Sequence, residues 1–431
     1  MKLQIETTNI KDVRKDEKTY IHDGTLFVNV DNLKQLVLRD DRISSVDIEI
    51  FKPGDQVRIV NIMDTVQPRA CVEKEESDFS GFVGPIKRAG NGVRKSLNNV
   101  YVITTNPETQ RHYSAFTDMG GTASKFTKFA KSFNVCIAPY QAENVGETDF
   151  EFAVKRAGFV VAVALAEAAK DIEPDVIKVY DWSFEETFKM APSLPRVAYY
   201  YQLYSPQHDN KGISDPCFYG TQINYLLPTI IHPNEILDGG IVGHTTYRAL
   251  GTDSIQNHGV IEELYKRHGK DLCFCGVVCG VANLDPIQRN RKAMMASSLL
   301  KDSLCADGVV LTKIHGGMPH VDLALVAEEC EKLGIKTTLT VQPLVSTGTL
   351  SATALFSSDI LDAIVIVGAT QEKLTIHFEP QIIFGGTADS KIFNPDPFPQ
   401  RAGDSIVVSE EFLVAGIHDH TGGAFISAKE Y

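Results

Sequence analysis

The sequence predicts an α/β protein: a β-rich amino-terminal domain followed by a carboxyl-terminal parallel-sheet domain of Rossmann-like outline. Three observations predict it. Short runs that alternate apolar and polar residues recur through the first hundred positions. After residue 250, apolar strands alternate with helical segments, as in βαβ units on a parallel sheet. No G-x-G-x-x-G follows any of these strands, so the parallel half lacks a dinucleotide fingerprint, and neither NAD nor flavin is expected. At 431 residues the chain exceeds one ordinary core. It divides into a β-rich domain over 1–105, a mixed α/β middle region with a candidate processing loop over 106–250, and an α/β parallel-sheet domain over 251–431.

The elements follow in order. Lys18 to Val30 reads as two strands around an Asp-Gly turn. Val46 to Ile50 and Val57 to Ile62 flank the turn Lys52–Asp55, and Val100 to Thr105 is a further strand. Such a domain should pack one apolar face and wet the other. Residues 106–145 read as irregular; Thr117 to Ser124 holds a Gly pair before hydroxyls, with no Lys-Ser or Lys-Thr in P-loop register. Phe150 to Asp171 is a long helix stopped before Pro174, and Pro195 to Leu203 a strand. Val260 to His268 is a helix closed by Gly269, and Leu272 to Val278 a buried strand. Asp285 and Pro286 open a helix that runs to about Leu304, with an N-cap residue and Pro in the first turn. Gly308–Thr312, Lys336–Val341 and Ala363–Gly368 are strands, and Val321–Leu333 is a helix ended by Gly334. Ligands on such sheets sit beyond the carboxyl ends of the strands, which points to the loops Lys313–Pro319 and Gln342–Thr349.

Composition excludes several classes of function. The net charge of −13 provides no cationic footprint for nucleic acid or an anionic membrane. The most apolar run, Gly158 to Ala166, is far shorter than the roughly 20 residues a membrane helix needs. The amino terminus lacks an apolar signal core, so a cytoplasmic protein is expected. The eight cysteines are scattered through apolar segments, as reduced buried thiols are. Cys273 and Cys275 lie in one strand and read as core, Cys279 at its far end as core with a redox role as the alternative, and no metal site is expected. His418-Asp-His420 near the end reads as a solvated turn, with strand-face chelation as the alternative.

The chemistry concentrates in one central stretch, Pro228 to Arg248. It passes through the turn Asp238-Gly239-Gly240 into Gly243, His244, Thr245 and Thr246, with Arg248 just beyond. The residues leave two readings open: a Gly-rich connection between domains, or a reactive loop. In the second, the Thr246 hydroxyl attacks the Thr245 carbonyl and shifts the acyl group from N to O. Elimination from the ester then leaves a 2-oxobutanoyl group, the methyl homologue of a pyruvoyl group, able to form a Schiff base with an amine. Hydrolysis of the ester instead leaves an amino-terminal Thr246 nucleophile. The candidate catalytic residues are Thr246, Thr245 and His244, the last as a proton shuttle. Arg248 is the candidate carboxylate partner in substrate binding, with Asp238 and Gly239 shaping the turn.

Asn234 to Val242, followed by Lys266 to Lys270, resembles the component B proprotein of the glycine, sarcosine and betaine reductases, a family related to the D-proline reductase proprotein. The likeness extends through Lys52–Asp55, Asp118-Met119, Tyr219-Gly220, Pro228-Thr229, Ala306–Val309, Gly317, Pro319 and Asp322. It implies a substrate-binding subunit, self-cleaved into two chains, whose new terminus carries a pyruvoyl group. It also implies reductive C–N cleavage of a small amine carboxylate by a selenocysteine- or thiol-bearing partner subunit, within an oligomer. The family cleaves before a Cys; Thr245 and Thr246 stand at the matching positions. Alkoxide leaves less readily than thiolate, so three outcomes are open: a 2-oxobutanoyl enzyme, an uncleaved binding or scaffold subunit, or a divergent member such as an amino-terminal-Thr hydrolase. An uncleaved subunit would suit a quaternary amine such as betaine, which cannot form a Schiff base.

Overall fold

The structure, a computed structural model, describes residues 1–73, 76–109, 115–190, 194–204, 217–223, 226–244, 250–282, 285–313, 319–341, 354–367, 374–392, 400–408 and 414–421. It is mixed α/β, with an amino-terminal sheet system and a separate parallel sheet.

The larger amino-terminal sheet runs Ala115–Asp118, Val57–Val66, Val100–Thr105, Phe133–Gln141, Ile43–Phe51. A strand from far along the chain, Ile382–Phe384, pairs parallel with Val57–Ile59. Beside it a second sheet orders Val176–Asp181, Lys2–Asn9, Gly92–Asn98 and Arg69–Cys71. The predicted hairpin forms between Tyr20–His22 and Thr25–Val28. Asp23 and Gly24 both take positive φ (49° and 77°), as a tight hairpin turn requires.

Two local expectations need correction. The Val57–Val66 strand does not wet one face: all ten of its residues are buried. The long helix Glu147–Ala166 packs against its Met63–Val66 end, and the carboxyl-terminal segment covers Val60 through Ile376, Phe378, Ile406 and Val408. Phe133–Gln141, read as irregular, is a full strand, parallel to Val100–Thr105 and antiparallel to Ile43–Phe51. Asn134 and Pro139 masked its pattern. Pro139 is tolerated because pairing with Val100–Thr105 ends at Ile137, so no ladder bond is asked of its nitrogen on that side.

The parallel sheet runs Thr229–Ile231, Cys273–Val281, Arg196–Leu203, Gly308–Lys313, Lys336–Val341, Ile364–Ile366. Every pairing is parallel except the edge strand Thr229–Ile231. Its central strand, Arg196–Leu203, comes from the 106–250 stretch. The chain first moves outward to Cys273–Val281, then jumps to the opposite side for Gly308–Lys313, so the strand order reverses about Arg196–Leu203. Helices Pro286–Ser298 and Pro319–Lys332 cover one face, and Gly259–Arg267 packs on the other. Asp285 caps its helix as expected, accepting from the amides of Ile287 and Gln288.

One buried clasp joins the carboxyl-terminal segment to the first sheet. Arg58, on the fully buried strand, donates to both oxygens of Asp118 at 2.6 and 2.9 Å. Its Nη1 donates to the carbonyls of Ala402 and Asp404 at 2.6 and 2.8 Å. Arg58 and Asp118 are each 0% exposed. Replacing Arg58 by Ala should destabilise the protein by about 3–5 kcal/mol, because a buried carboxylate is left unpaired. Urea denaturation checks this, and limited proteolysis should then cut first between residues 386 and 408.

Candidate functional site

The central stretch enters the site from a short, tightly capped helix. His232 precedes Pro233–Leu237; its Nδ1 accepts from the Asn234 amide, and the Glu235 side chain accepts from the His232 amide. Asp238 ends that helix with both carboxylate oxygens committed: Arg94 donates to them at 2.8 and 2.7 Å and the Gly90 amide at 2.6 Å. Gly239 follows at φ +79°, where an added Cβ would lie 3.0 Å from Phe79. These two residues fix the direction in which the chain leaves the turn.

The next residues run into a buried polar network. The Gly243 amide donates to Thr252 Oγ1 at 2.9 Å. That hydroxyl donates to Asp64 Oδ2 at 2.7 Å, and the Thr252 amide donates to Asp64 Oδ1 at 2.8 Å. Lys155, from the long helix, donates to the carbonyls of Gly243 (2.5 Å) and His244 (2.8 Å) and lies 3.3 Å from Asp64. Lys155 and Asp64 are both 1% exposed, where their Coulomb attraction is poorly screened. The His244 ring is buried, edge-on to Tyr204 with centroids 5.4 Å apart, and its Nδ1 lies 3.9 Å from Cys217 Sγ. The stretch between His244 and Leu250 therefore leaves from and returns to one anchor. Thr245, Thr246 and Arg248 lie outside the described residues, as do the cores of the loops at 314–318 and 342–350.

Sequence reasoning missed Lys155, Asp64, Thr252 and Cys217. Lys155 did carry a signal. It stands four residues from both Glu151 and Phe159, so it repeats on a stripe of the helix that is otherwise buried. Asp64 and Thr252 had none, because their roles depend on partners about 190 positions apart.

A second polar layer lies on the parallel sheet. Tyr199 and Tyr201, two apart on the central strand, share one face. Tyr199 Oη bonds His258 Nε2 at 3.1 Å and Thr312 Oγ1 at 2.5 Å, and Tyr201 Oη bonds His420 Nε2 at 2.8 Å. The rings of His258 and His420 stack with centroids 3.6 Å apart. His418 and His420 are each 3% exposed, so the solvated turn expected there is instead packed inside: the tail returns to the central strand, where Tyr201 offers a polar partner. Lys128 pairs with Asp253 nearby.

Burial holds both stacked imidazoles neutral: it pushes His420 down to about 3 and His258 well below its ordinary value. The unfolded chain takes up these protons near pH 6.5 and the folded one does not, so stability is full above that pH and falls as acid is added towards pH 3. The loss should approach about 1.4 kcal/mol per pH unit for each imidazole. Urea midpoints measured between pH 7 and 5 check the slope, and His420→Gln should flatten it.

With this geometry in place, comparison with known proteins places the chain. Residues 1–393 match the family model of glycine/sarcosine/betaine reductase component B subunits. The sarcosine reductase complex component B subunit alpha of Peptoclostridium acidaminophilum is 33% identical over 350 residues, 79% of each chain. The glycine reductase complex component B subunits alpha and beta of Acetoanaerobium sticklandii are 31% identical over 344 residues, 79% of this chain and 78% of that one. The corresponding Peptoclostridium acidaminophilum protein is 27% identical along the whole of both chains. No solved structure matches. Among the described residues no helix is long and apolar enough to cross a membrane. Matched along nine-tenths of its length and through the strands that carry Asp64, Tyr199 and Tyr201, the chain belongs to the glycine/sarcosine/betaine reductase component B family.

Proposed function

We propose that this chain is the substrate-binding subunit of a cytoplasmic reductase complex of the glycine, sarcosine and betaine type. It presents a small amino acid derivative for reductive C–N cleavage, with the thiol or selenol supplied by a partner subunit. Family membership supports the class of reaction. The observation that carries the site is the shared anchor of Gly243 and Thr252 on the Lys155–Asp64 pair.

That anchor suits self-processing between Thr245 and Thr246. The Thr246 hydroxyl adds to the Thr245 carbonyl, and the C–N bond breaks as the new C–O bond is kept. Elimination expels the upstream chain as a carboxylate, and hydrolysis of the resulting enamine releases ammonia and leaves a 2-oxobutanoyl terminus. Such a carbonyl would withdraw electrons from a bound amine. Lys155 already holds the two preceding carbonyls, so its ammonium is the candidate to stabilise the oxyanion formed at the next one. His244 is the candidate proton carrier and Arg248 the candidate partner of a substrate carboxylate. A second reading, an uncleaved binding subunit, is favoured by Thr246 itself, since a Thr hydroxyl is a weaker nucleophile than a Cys thiol and its ester eliminates a carboxylate where a thioester would eliminate the better-leaving thiocarboxylate.

Intact mass separates the two. Processing predicts two fragments divided before Thr246, the smaller one carrying a carbonyl that borohydride reduces. A single species of 47.4 kDa selects the uncleaved subunit. If fragments form, Thr246→Ala should abolish them, and Lys155→Met should slow their appearance by about 10²–10³-fold, as loss of one oxyanion donor does.

A further inference from the structure

A second cluster of buried basic groups lies on the opposite face of the parallel sheet from the stacked histidines. Lys313 is the last residue of Gly308–Lys313. Thr312 points to Tyr199, so strand alternation turns Lys313 the other way, beside Val309 and Leu311 and beneath the two covering helices. Gln202 pairs with it in register from the central strand. This is the position where the strand order reverses, and a crevice opens at the carboxyl ends of strands at such a reversal.

The two covering helices bring more charge. Pro286–Ser298 supplies Arg289 and Lys292, three apart and therefore on one side. Pro319–Lys332 begins here and supplies His320 and Asp322. Arg289 takes Asp322 at 2.6 Å. Lys313 is 8% exposed and Lys292 6% exposed, yet neither amine has a hydrogen-bond partner among the described residues. Gln202 donates to the Pro319 carbonyl at 2.8 Å, while its Oε1 is without a partner among the same residues. Three basic side chains thus face one carboxylate, which Arg289 already engages. The amino-terminal end of a fourteen-residue helix adds its own partial positive charge. Burial pushes both lysine amines below their ordinary value, and Asp322 opposes the shift only in part.

Burying two amines without partners among the described residues is unfavourable unless something completes them. We infer that Lys313 and Lys292, with the first turn of Pro319–Lys332, form a seat for the carboxylate of a small amino-acid-derived ligand. The choice of a carboxylate rests on the reductase reading; the demand for an anion rests on the cluster itself. The seat needs neither chain cleavage nor a partner subunit, so binding can be measured on the purified full-length protein.

The test is thermal denaturation and calorimetric titration with sodium acetate, glycine and betaine, against chloride and inorganic phosphate at matched ionic strength. Acetate and at least one of the two amino-acid ligands should raise the midpoint saturably. Lys313→Met and Lys292→Met should each weaken that binding about tenfold or more. Without ligand, both variants should melt at or above the parent temperature, because each replaces an unpartnered buried amine with an apolar chain of similar length. No carboxylate effect beyond chloride, an effect of phosphate alone, or carboxylate binding unchanged in both variants would each overturn the seat. Failure of the complex to reduce any of these compounds while acetate still binds through Lys313 would instead count against the reductase reading.

Discussion

The buried Lys155–Asp64 pair is the constraint on which the arrangement of the molecule depends. Asp64 sits on a strand enclosed on both faces, and Lys155 on the helix that encloses it. Two opposite charges withdrawn from water gain little net stability by themselves, because desolvation offsets much of their attraction. Their remaining hydrogen-bonding capacity must be filled, and the chain fills it from the end of the central stretch and from Thr252 just beyond it. The carbonyls of Gly243 and His244 take the ammonium, and the amide and hydroxyl of Thr252 take the carboxylate. The pair therefore works as a register mark. It sets where a loop from the far side of the sequence must enter and leave.

The parallel sheet adds a different kind of order. Its central strand gives alternate residues to opposite faces, and both faces are polar near the carboxyl end. Tyr199 and Tyr201 bond two neutral imidazoles on one side, and Gln202 pairs in register with Lys313 on the other. The first layer is joined by hydrogen bonds through both Nε2 atoms and by stacking, while the Nδ1 of each imidazole has no partner among the described residues. The second keeps the amines of Lys313 and Lys292 without hydrogen-bond partners among the described residues.

Much of the fold was legible in the sequence because it is local. The Asp23-Gly24 turn, the Asp285 cap, the helix closures at Gly269 and Gly334 and the regular strands after residue 270 each follow from a few adjacent residues. Phe133–Gln141 was not legible, because its place in the sheet comes from flanking strands and not from its own alternation. The double burial of Val57–Val66 was hidden for the same reason: half of its cover arrives more than 300 residues later. At the site, Asp238, Gly239 and His244 were found as turn and loop residues, and the structure gives each a defined place. Lys155, Asp64 and Thr252 were passed over because single charged or hydroxyl residues in apolar runs read as surface or flank. Apart from the place of Lys155 on a buried helical stripe, only their mutual contacts distinguish them.

The return of the carboxyl-terminal segment to the first sheet bears on what a break in the middle of the chain would do. Ile382–Phe384 zips onto Val57–Ile59, and the guanidinium of Arg58 grips carbonyls at 402 and 404. A peptide bond severed near position 245 would leave two polypeptides interleaved through one sheet, each lacking a strand or a cover that only the other supplies. Such a nicked molecule would travel as a single particle, and its halves could be parted only by unfolding it. The same interleaving fixes the order of events during synthesis: the first sheet waits with an open edge until the residues from 382 to 384 have left the ribosome.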